Sequence, residues 1–378
     1  MKIGVNAWAL ESGSSAKNAG VSRAVANMIP AMAAAGPEHE FHVWVLPRVE
    51  VPDDWGAHPN LIVHRIWPKY RTWLLVGEAV EAKKKGIDVW LSMANRIPRI
   101  MPRKKFLVIY DLFPFKYPDM YESVDRERYF REFADGCRRA DHLFCISEAT
   151  KRDVLQRFPR DADDCTIIPM GPGNPIQRRA YADVTDAELD SMGVPFRRFL
   201  FGLSTLEPRK NFPRLIEAMG LLARDPDLQD VGLVVAGGRG WLEGPIFERV
   251  QELGLEERVK FLGFVPSEWL PALFARCEAF VCPSLDEGFG IPVLEAFLMG
   301  APVISSDRGS LPEVGGDIVR YFDPEDTEGI SESIRTFLRE QPDRESLVLK
   351  GLERAKMFTW QRCGEIMVKA IAERCLRS

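Results

Sequence analysis

Glu287-Gly-Phe-Gly-Ile-Pro-Val-Leu-Glu295 is the stretch that decides how this chain is read. An apolar run, Ala279-Phe-Val-Cys-Pro-Ser284, comes before it, and a helical pattern from Pro292 to Met299 follows. The order is strand, turn, helix. Amides at a helix start lack intrahelical acceptors and the dipole there is positive, so an anion such as phosphate can sit on it. Gly288 and Gly290 let the backbone approach a ligand closely. Glu287 stands before the turn, where it can accept hydrogen bonds from sugar hydroxyls. Glu295 lies in the helix, within reach of a ribose. The segment has the parts to hold sugar, phosphate and ribose together, which describes a nucleotide-sugar site.

Working outward, apolar runs alternate with amphipathic stretches in both halves. Strands are expected at Ile3–Ala7, Phe41–Leu46, Ile62–Ile66, Val89–Ser92, Phe106–Tyr110, His142–Ile146 and Thr166–Ile168, and again at Phe199–Leu203, Gly232–Ala236, Val259–Phe261, Ala279–Val281, Val303–Ser305 and Val319–Phe322. Such alternation implies parallel sheets covered by helices, here two doubly wound α/β domains in tandem. Clustered Gly and Pro in Gly171-Pro-Gly-Asn-Pro175 mark the junction. The expected division is 1–175, a linker over 176–198, 199–357, and a final amphipathic helix within 358–378.

A second anion-binding turn is expected at Glu207-Pro-Arg-Lys-Asn211, after the strand ending at Leu203. Two cations at a helix start are unfavourable unless something negative sits there. A diphosphate satisfies them, with Arg209 as a bidentate donor and Lys210 as a point charge. Gly237-Gly-Arg-Gly240 is an incomplete dinucleotide fingerprint and reads as a structural turn. The acid pairs Asp161-Ala-Asp163 and Asp225-Pro-Asp227 lie in polar connectors and read as surface turns, so no metal site is expected.

The chain resembles retaining glycosyltransferases of the GT-B fold, with the Glu287-to-Glu295 segment similar to their Glu-x7-Glu motif, and is closest in style to glycosyltransferase family 4. Further segments carry the likeness in the family's order: Gly20-Val-Ser-Arg23, Tyr110-Asp111-Leu-Phe-Pro-Phe115, Ile146-Ser-Glu-Ala-Thr-Lys151, Thr205 to Asn211, Val259 to Pro266 and Ser310-Leu-Pro-Glu-Val-Gly315. The resemblance implies a C-terminal domain that binds a nucleoside-diphosphate sugar, an N-terminal domain that binds the acceptor, and a site in the cleft between them. It implies catalytic roles for Arg209, Lys210, Glu287 and Asp111. It implies donor contacts at Gly20, Tyr110, Phe264, Val265, Gly288, Phe289, Gly290, Ile291, Val293, Leu294 and Glu295, with the base beside Gly263-Phe-Val265. Many family members have His-Asp where this chain has Tyr110-Asp111, and paired glycines where it has Ala19-Gly20. The final helix is implied to cross back to the first domain. The activity implied is metal-independent hexose transfer, mannose from GDP-mannose being the first choice, to a glycan or a polyprenyl-pyrophosphate-linked acceptor in bacterial surface polysaccharide synthesis, O-antigen and lipopolysaccharide included. No cofactor beyond the donor is implied.

The 378 residues are 46% apolar and 28% charged, as in a globular protein able to bury two cores. No apolar run is long enough to span a bilayer, and no signal peptide is read at the start. Seven scattered cysteines, an odd number with no Cys-x-x-Cys, favour reduced thiols in a cytoplasmic setting over a disulfide framework or a zinc site. Net charge is −5, unevenly spread. Residues 1–180 hold 27 Lys and Arg against 22 Asp and Glu, an excess of +5, and the remainder carries −10. The clusters Lys83–Lys85 and Arg103–Lys105 suit either a solvated face or peripheral contact with anionic lipid at the inner face of the cytoplasmic membrane. Basic stretches without interleaved aromatics argue against nucleic acid. Two other classes stay open. An NAD-dependent oxidoreductase would need a full glycine fingerprint after the first strand, which Ile3-Gly-Val-Asn-Ala-Trp8 lacks. A catalytically silent scaffold of the same fold would show decayed carboxylates or cations, and here all four are kept.

Overall fold

A computed structural model describes residues 1–10, 19–65, 73–93, 96–98, 100–101, 104–120, 126–173 and 178–376. Asn18, Ile66, Arg103 and the Asn174–Pro175 end of the expected junction lie outside them. The chain divides into two units, Met1–Gly173 with Phe358–Ser378, and Asn174–Met357.

The first unit holds β1 (Lys2–Asn6), α1 (Ala19–Ala35), β2 (Glu40–Val45), β3 (Leu61–Arg65), α2 (Trp73–Lys85), β4 (Val89–Ser92), β5 (Lys104–Ile109), α3 (Phe113–Lys116), α4 (Arg126–Arg139), β6 (His142–Cys145), α5 (Glu148–Arg157) and β7 (Cys165–Ile167). Its sheet is parallel, in the order β3-β2-β1-β4-β5-β6-β7. The second unit holds α6 (Asp186–Ser191), β8 (Arg198–Leu203), α7 (Phe212–Leu222), β9 (Val231–Ala236), α8 (Gly244–Glu252), β10 (Val259–Gly263), α9 (Leu270–Arg276), β11 (Ala279–Cys282), α10 (Ile291–Met299), β12 (Val303–Ser306), α11 (Leu311–Gly315), β13 (Arg320–Phe322), α12 (Thr327–Glu340) and α13 (Arg344–Ala355). Its sheet is parallel too, ordered β10-β9-β8-β11-β12-β13.

Burial explains why the strands were readable. Every residue of β4, β6, β9, β11 and β12 is buried, as expected for strands covered on both faces. The outermost strands β3 and β10 are only partly buried. In each sheet the strand order reverses at one place, between β1 and β4 and between β8 and β11. Ligands of open α/β sheets bind outside the carboxyl ends of the strands at such a point.

Helix α14 (Trp360–Leu376) packs on α1 within the first unit. Its Gly364 comes so close that a Cβ there would lie 2.5 Å from the carbonyl carbon of Ala31. Trp360 opens the helix, its ring covering Gly171 and its Nε1 donating to the Pro172 carbonyl at 2.7 Å.

Three expectations are corrected. Within 176–198, α6 is a capped helix, with Thr185 accepting from the Glu188 amide, and these residues go with the second unit. Helix α13 was not foreseen; Asp343 caps it, and Val348, Gly351 and Ala355 form its buried face. Lys104 and Lys105 are not open charges. Lys104 Nζ donates to the Arg374 carbonyl at 2.9 Å and Lys105 Nζ pairs with Asp141 at 2.9 Å. Among the described residues all seven cysteines are unbonded thiols, and no helix is long and apolar enough to cross a membrane.

Candidate donor site at the second switch point

The loops after β8 and β11 meet where the second sheet reverses order. After β8 a single turn, Pro208–Lys210, leads to Asn211, which adopts the left-handed region at φ 57° and starts α7. Asn211 is held there because its Nδ2 donates to the Pro283 carbonyl at 3.1 Å and the Pro324 carbonyl at 2.8 Å. Main chain joins the two loops as well, the Leu285 amide donating to the Arg209 carbonyl at 2.9 Å.

Lys210 Nζ lies 2.7 Å from Glu287 Oε1, with both side chains nearly buried. Ser284 Oγ donates to the same oxygen at 2.7 Å. The Glu287 carbonyl accepts from the Ser310 amide at 3.1 Å and from Ser310 Oγ at 2.9 Å. Gly309, at φ 59°, passes this loop so closely that a Cβ would stand 2.6 Å from the Glu287 carbonyl oxygen. Burial by itself would raise the Glu287 carboxyl. The charges of Lys210 and Arg209 and the bonds from Lys210 and Ser284 outweigh it and hold the pKa below the ordinary value. The thiol of Cys282 beside them is pushed up by burial to about 11 and is a neutral neighbour.

Arg209 is aimed by Glu207, whose Oε1 accepts from Nε and Nη2 at 2.9 Å each. Helix α10 starts at Gly290, which sits at φ 92°. Gly288, Phe289 and Gly290 are buried, and so is Glu295, which is therefore not a solvated helix residue. Ile291 is half-buried, whereas Val293 and Leu294 turn their side chains into the core and spend their amides on the Gly290 carbonyl. Their expected donor contacts are therefore not carried by free groups. At the end of β10, Val265 is buried and Phe264 is 60% exposed, so the Phe264 ring is not part of the core. The Gly237–Gly240 loop packs on the loop after β8, the Leu206 amide donating to the Gly238 carbonyl at 3.0 Å.

The first-unit candidates are placed differently. Tyr110 is buried; its hydroxyl donates to the Met93 carbonyl at 3.4 Å, and burial raises its pKa strongly. The phenol is a packing group, which corrects its expected contact with the donor. Asp111 Oδ1 accepts from the Phe113 amide at 3.2 Å, a local turn bond just before α3, and the side chain stays partly open. Gly20 lies in the first turn of α1 with open space where a Cβ would be. Asp161 is exposed, but Asp225 is a buried hub that accepts from Arg339 at 2.7 Å and pairs with Arg335 at 3.4 Å. Among the described residues no group of three or more His, Cys, Asp and Glu is arranged to hold a metal.

Sequence reasoning missed Ser284, Ser310 and the Glu207–Arg209 pair. Ser284 lies two residues past the end of β11 and three before Glu287, a spacing at which a hydroxyl can reach a turn carboxylate.

The family model for glycosyl transferases group 1 matches residues 196–354, which span the second-unit geometry and none of the first-unit candidates. Through those residues the chain belongs to the group 1 glycosyl transferases. It is 32% identical to O-antigen chain mannosyltransferase B of Escherichia coli over 255 residues, 67% of this chain and 66% of that protein. It is 30% identical to the serotype-specific mannosyltransferase WbdA of Escherichia coli over 277 residues, 71% of this chain but 33% of that protein. The chain thus spans less than the full length of the relatives it matches, and only a third of the longer one. Sucrose-phosphate synthase from Thermosynechococcus elongatus superposes over 100% of both chains with a TM-score of 0.74 at 19% identity. The fold is GT-B.

Replacing Lys210 by Ala in this group 1 domain strands a buried carboxylate. We expect a loss of about 3–5 kcal/mol at neutral pH, partly recovered in the Lys210→Ala/Glu287→Gln double variant. In the native protein the Glu287 pKa is depressed, so its stabilisation is complete above the ordinary carboxylate range and is lost as pH falls through the lower folded value. Without Lys210 its charge and its bond no longer oppose burial, and the deficit should shrink on acidification. Urea unfolding across pH measures this, and a pH-independent deficit would contradict the pairing.

Proposed function

We propose that this chain is a metal-independent, retaining hexosyltransferase. It would move mannose by first choice, from a nucleoside-diphosphate sugar such as GDP-mannose, to a glycan or polyprenyl-pyrophosphate-linked acceptor in bacterial surface polysaccharide synthesis. The observation that carries this is the Lys210–Glu287 contact at the second switch point, beside Arg209 and the start of α10. The mannosyltransferase names of the relatives support the sugar.

In this reading the diphosphate sits on Arg209, Lys210 and the start of α10, where fixed cations and the helix dipole meet the charge that grows as the diphosphate leaves. Pro292 contributes no N–H, so the donors there are the amides before it. Both bonds to the Glu287 carboxylate go to Oε1, which leaves Oε2 for hydroxyls of the donor sugar. Glu295 takes the ribose, and the exposed Phe264 ring stacks on the base, a contact worth about 0.5–1.5 kcal/mol beyond the buried area. The sugar becomes oxocarbenium-like, the acceptor hydroxyl enters on the face the leaving group vacates, and a phosphate oxygen takes its proton. Asp111 keeps the catalytic role that the resemblance implies for it. Lys83–Lys85 at the end of α2 are proposed to touch anionic lipid; Lys83 is exposed and Lys84 pairs with Glu81 at 3.0 Å.

Arg209→Ala should weaken binding of the bare nucleoside diphosphate by about 1.5–3 kcal/mol in calorimetry. Glu287→Gln should impair transfer more than nucleotide binding, and Glu295→Gln should weaken nucleotide binding itself. Unchanged affinity in the Arg209 variant, or the reverse pattern for the two glutamates, would overturn the donor placement.

Transfer should survive excess EDTA. Loss with recovery on adding manganese would reveal a metal-dependent site.

Each lysine near an anionic surface adds about 1 kcal/mol of attraction, so salt and Lys83→Gln/Lys84→Gln/Lys85→Gln should both reduce co-sedimentation with anionic vesicles. Equal sedimentation with neutral vesicles would leave these lysines as a solvated face.

A further inference from the structure

The first sheet has its own switch point, between β1 and β4, and the polar groups there are left incomplete. Asn6 ends β1 and Ser92 ends β4; both are fully buried. Asn6 Nδ2 donates to Oε1 of Glu78, which comes from α2 and is also fully buried. Asn6 Oδ1 accepts from the Trp8 amide at 3.1 Å, and Ser92 Oγ donates to the Arg96 carbonyl. The Arg96 guanidinium lies over the Trp8 ring, 4.6 Å from its centroid. Three buried polar atoms of this cluster have no hydrogen-bond partner: Glu78 Oε2, Trp8 Nε1 and Arg96 Nη2.

Each buried polar atom without a partner costs about 1–3 kcal/mol, and folded proteins keep few of them. Three in one cluster, at the place where open α/β sheets receive ligands, call for a ligand that satisfies all three. Two of the atoms are N–H donors. The third belongs to a carboxyl that burial raises to about 8, against the opposing pull of Arg96 and the Asn6 bond, so the neutral acid is populated at pH 7. A neutral carboxyl donates as well as accepts. That set matches hydroxyls, which also do both. It does not suit a phosphate, which would meet one cation beside an acidic group, nor a metal ion, which an indole and a guanidinium do not ligate.

We infer that Trp8, Glu78 and Arg96 form the acceptor subsite of the first unit, binding the hydroxyls of a hexose ring. The inference rests on the glycosyl-transfer reading above and adds the residues that select the acceptor. Glu78 and Arg96 bind and orient here; neither is asked to take the transferred proton.

The test uses the full chain with GDP and, in turn, methyl α-glycosides of mannose, glucose, galactose and rhamnose. One of the nine indole N–H resonances, assigned through Trp8→Phe, should move with at least one glycoside. Trp8→Phe and Glu78→Leu should each weaken that glycoside about tenfold, the effect of one lost hydrogen bond, with GDP affinity unchanged. Glu78→Gln, which still donates and accepts, should bind within a fewfold of wild type. In the transferase assay the two weakening variants should raise the acceptor KM and leave the donor KM alone. Trp8→Phe keeps an aromatic ring in place, so the test does not depend on the folding of Glu78→Leu. If no glycoside moves the Trp8 resonance, or if the variants bind glycoside as tightly as wild type, the subsite is wrong. Failure to bind any of GDP, UDP and dTDP in the same samples would instead overturn the donor reading.

Discussion

The proposed donor site depends on one buried contact, Lys210 Nζ to Glu287 Oε1 at 2.7 Å. A lone buried charge is held only when a partner offsets its lost hydration, and truncating one partner exposes the full cost. This contact joins loops 77 positions apart in sequence, one after β8 and one after β11. Other local features follow from keeping them in register. Asn211 accepts an unusual backbone conformation to reach two carbonyls, Gly309 passes where no Cβ fits, and Ser310 holds the Glu287 main chain from the far side. Rigid placement matters because electrostatic stabilisation of a leaving diphosphate works best when the donors need no rearrangement.

The elements of the fold were legible and their meetings were not. Central strands such as β9 and β11 stand out because both faces are buried, so apolar residues run without interruption. Helix α12 is marked in the sequence by a strong apolar period that starts at the Asp326 cap and stops at Gln341, in the left-handed region. Helix α13 escaped because its buried face is narrow and Leu349 on the other side is 59% exposed, which blurs the period. Helix α6 escaped because a short, acidic helix in a polar stretch has the composition of a linker. Of the site, the sequence showed the Gly-Phe-Gly turn and the two basic residues. It did not show that Arg209 and Lys210 are each already matched by a carboxylate, since Glu207 reads as a turn residue and Glu287 lies on another strand end. Tyr110 misled for a related reason: its position at a strand end was legible, but the direction of its hydroxyl, toward Met93, was set by packing.

The two switch points share a topology and differ in how their polar groups are satisfied. At β8/β11 the Glu287 carboxylate is held by a lysine and a serine. At β1/β4 the Glu78 carboxyl has one bond, from Asn6, and Arg96 and Trp8 keep donors in reserve. A charged ligand such as a diphosphate favours the first kind of site, because fixed opposite charges orient it before reaction. A neutral sugar gains little from fixed charge. It gains from donors and acceptors that have already lost their water, since each hydroxyl that pairs with them removes an existing penalty.

This difference bears on turnover in the proposed glycosyl transfer. Arg209 and Lys210 unopposed would bind a nucleoside diphosphate tightly before and after transfer, and binding both states equally does not speed the chemical step. With Glu207 on Arg209 and Glu287 on Lys210, a diphosphate entering the proposed site would compete with carboxylates for the same donors. The gain on binding is then the difference between two sets of charge-assisted bonds and grows as negative charge accumulates on the departing oxygen. In the proposed reading the paired carboxylates would weaken the hold on substrate and product while keeping the cations aimed, so the interaction would be strongest as the bond to the sugar breaks.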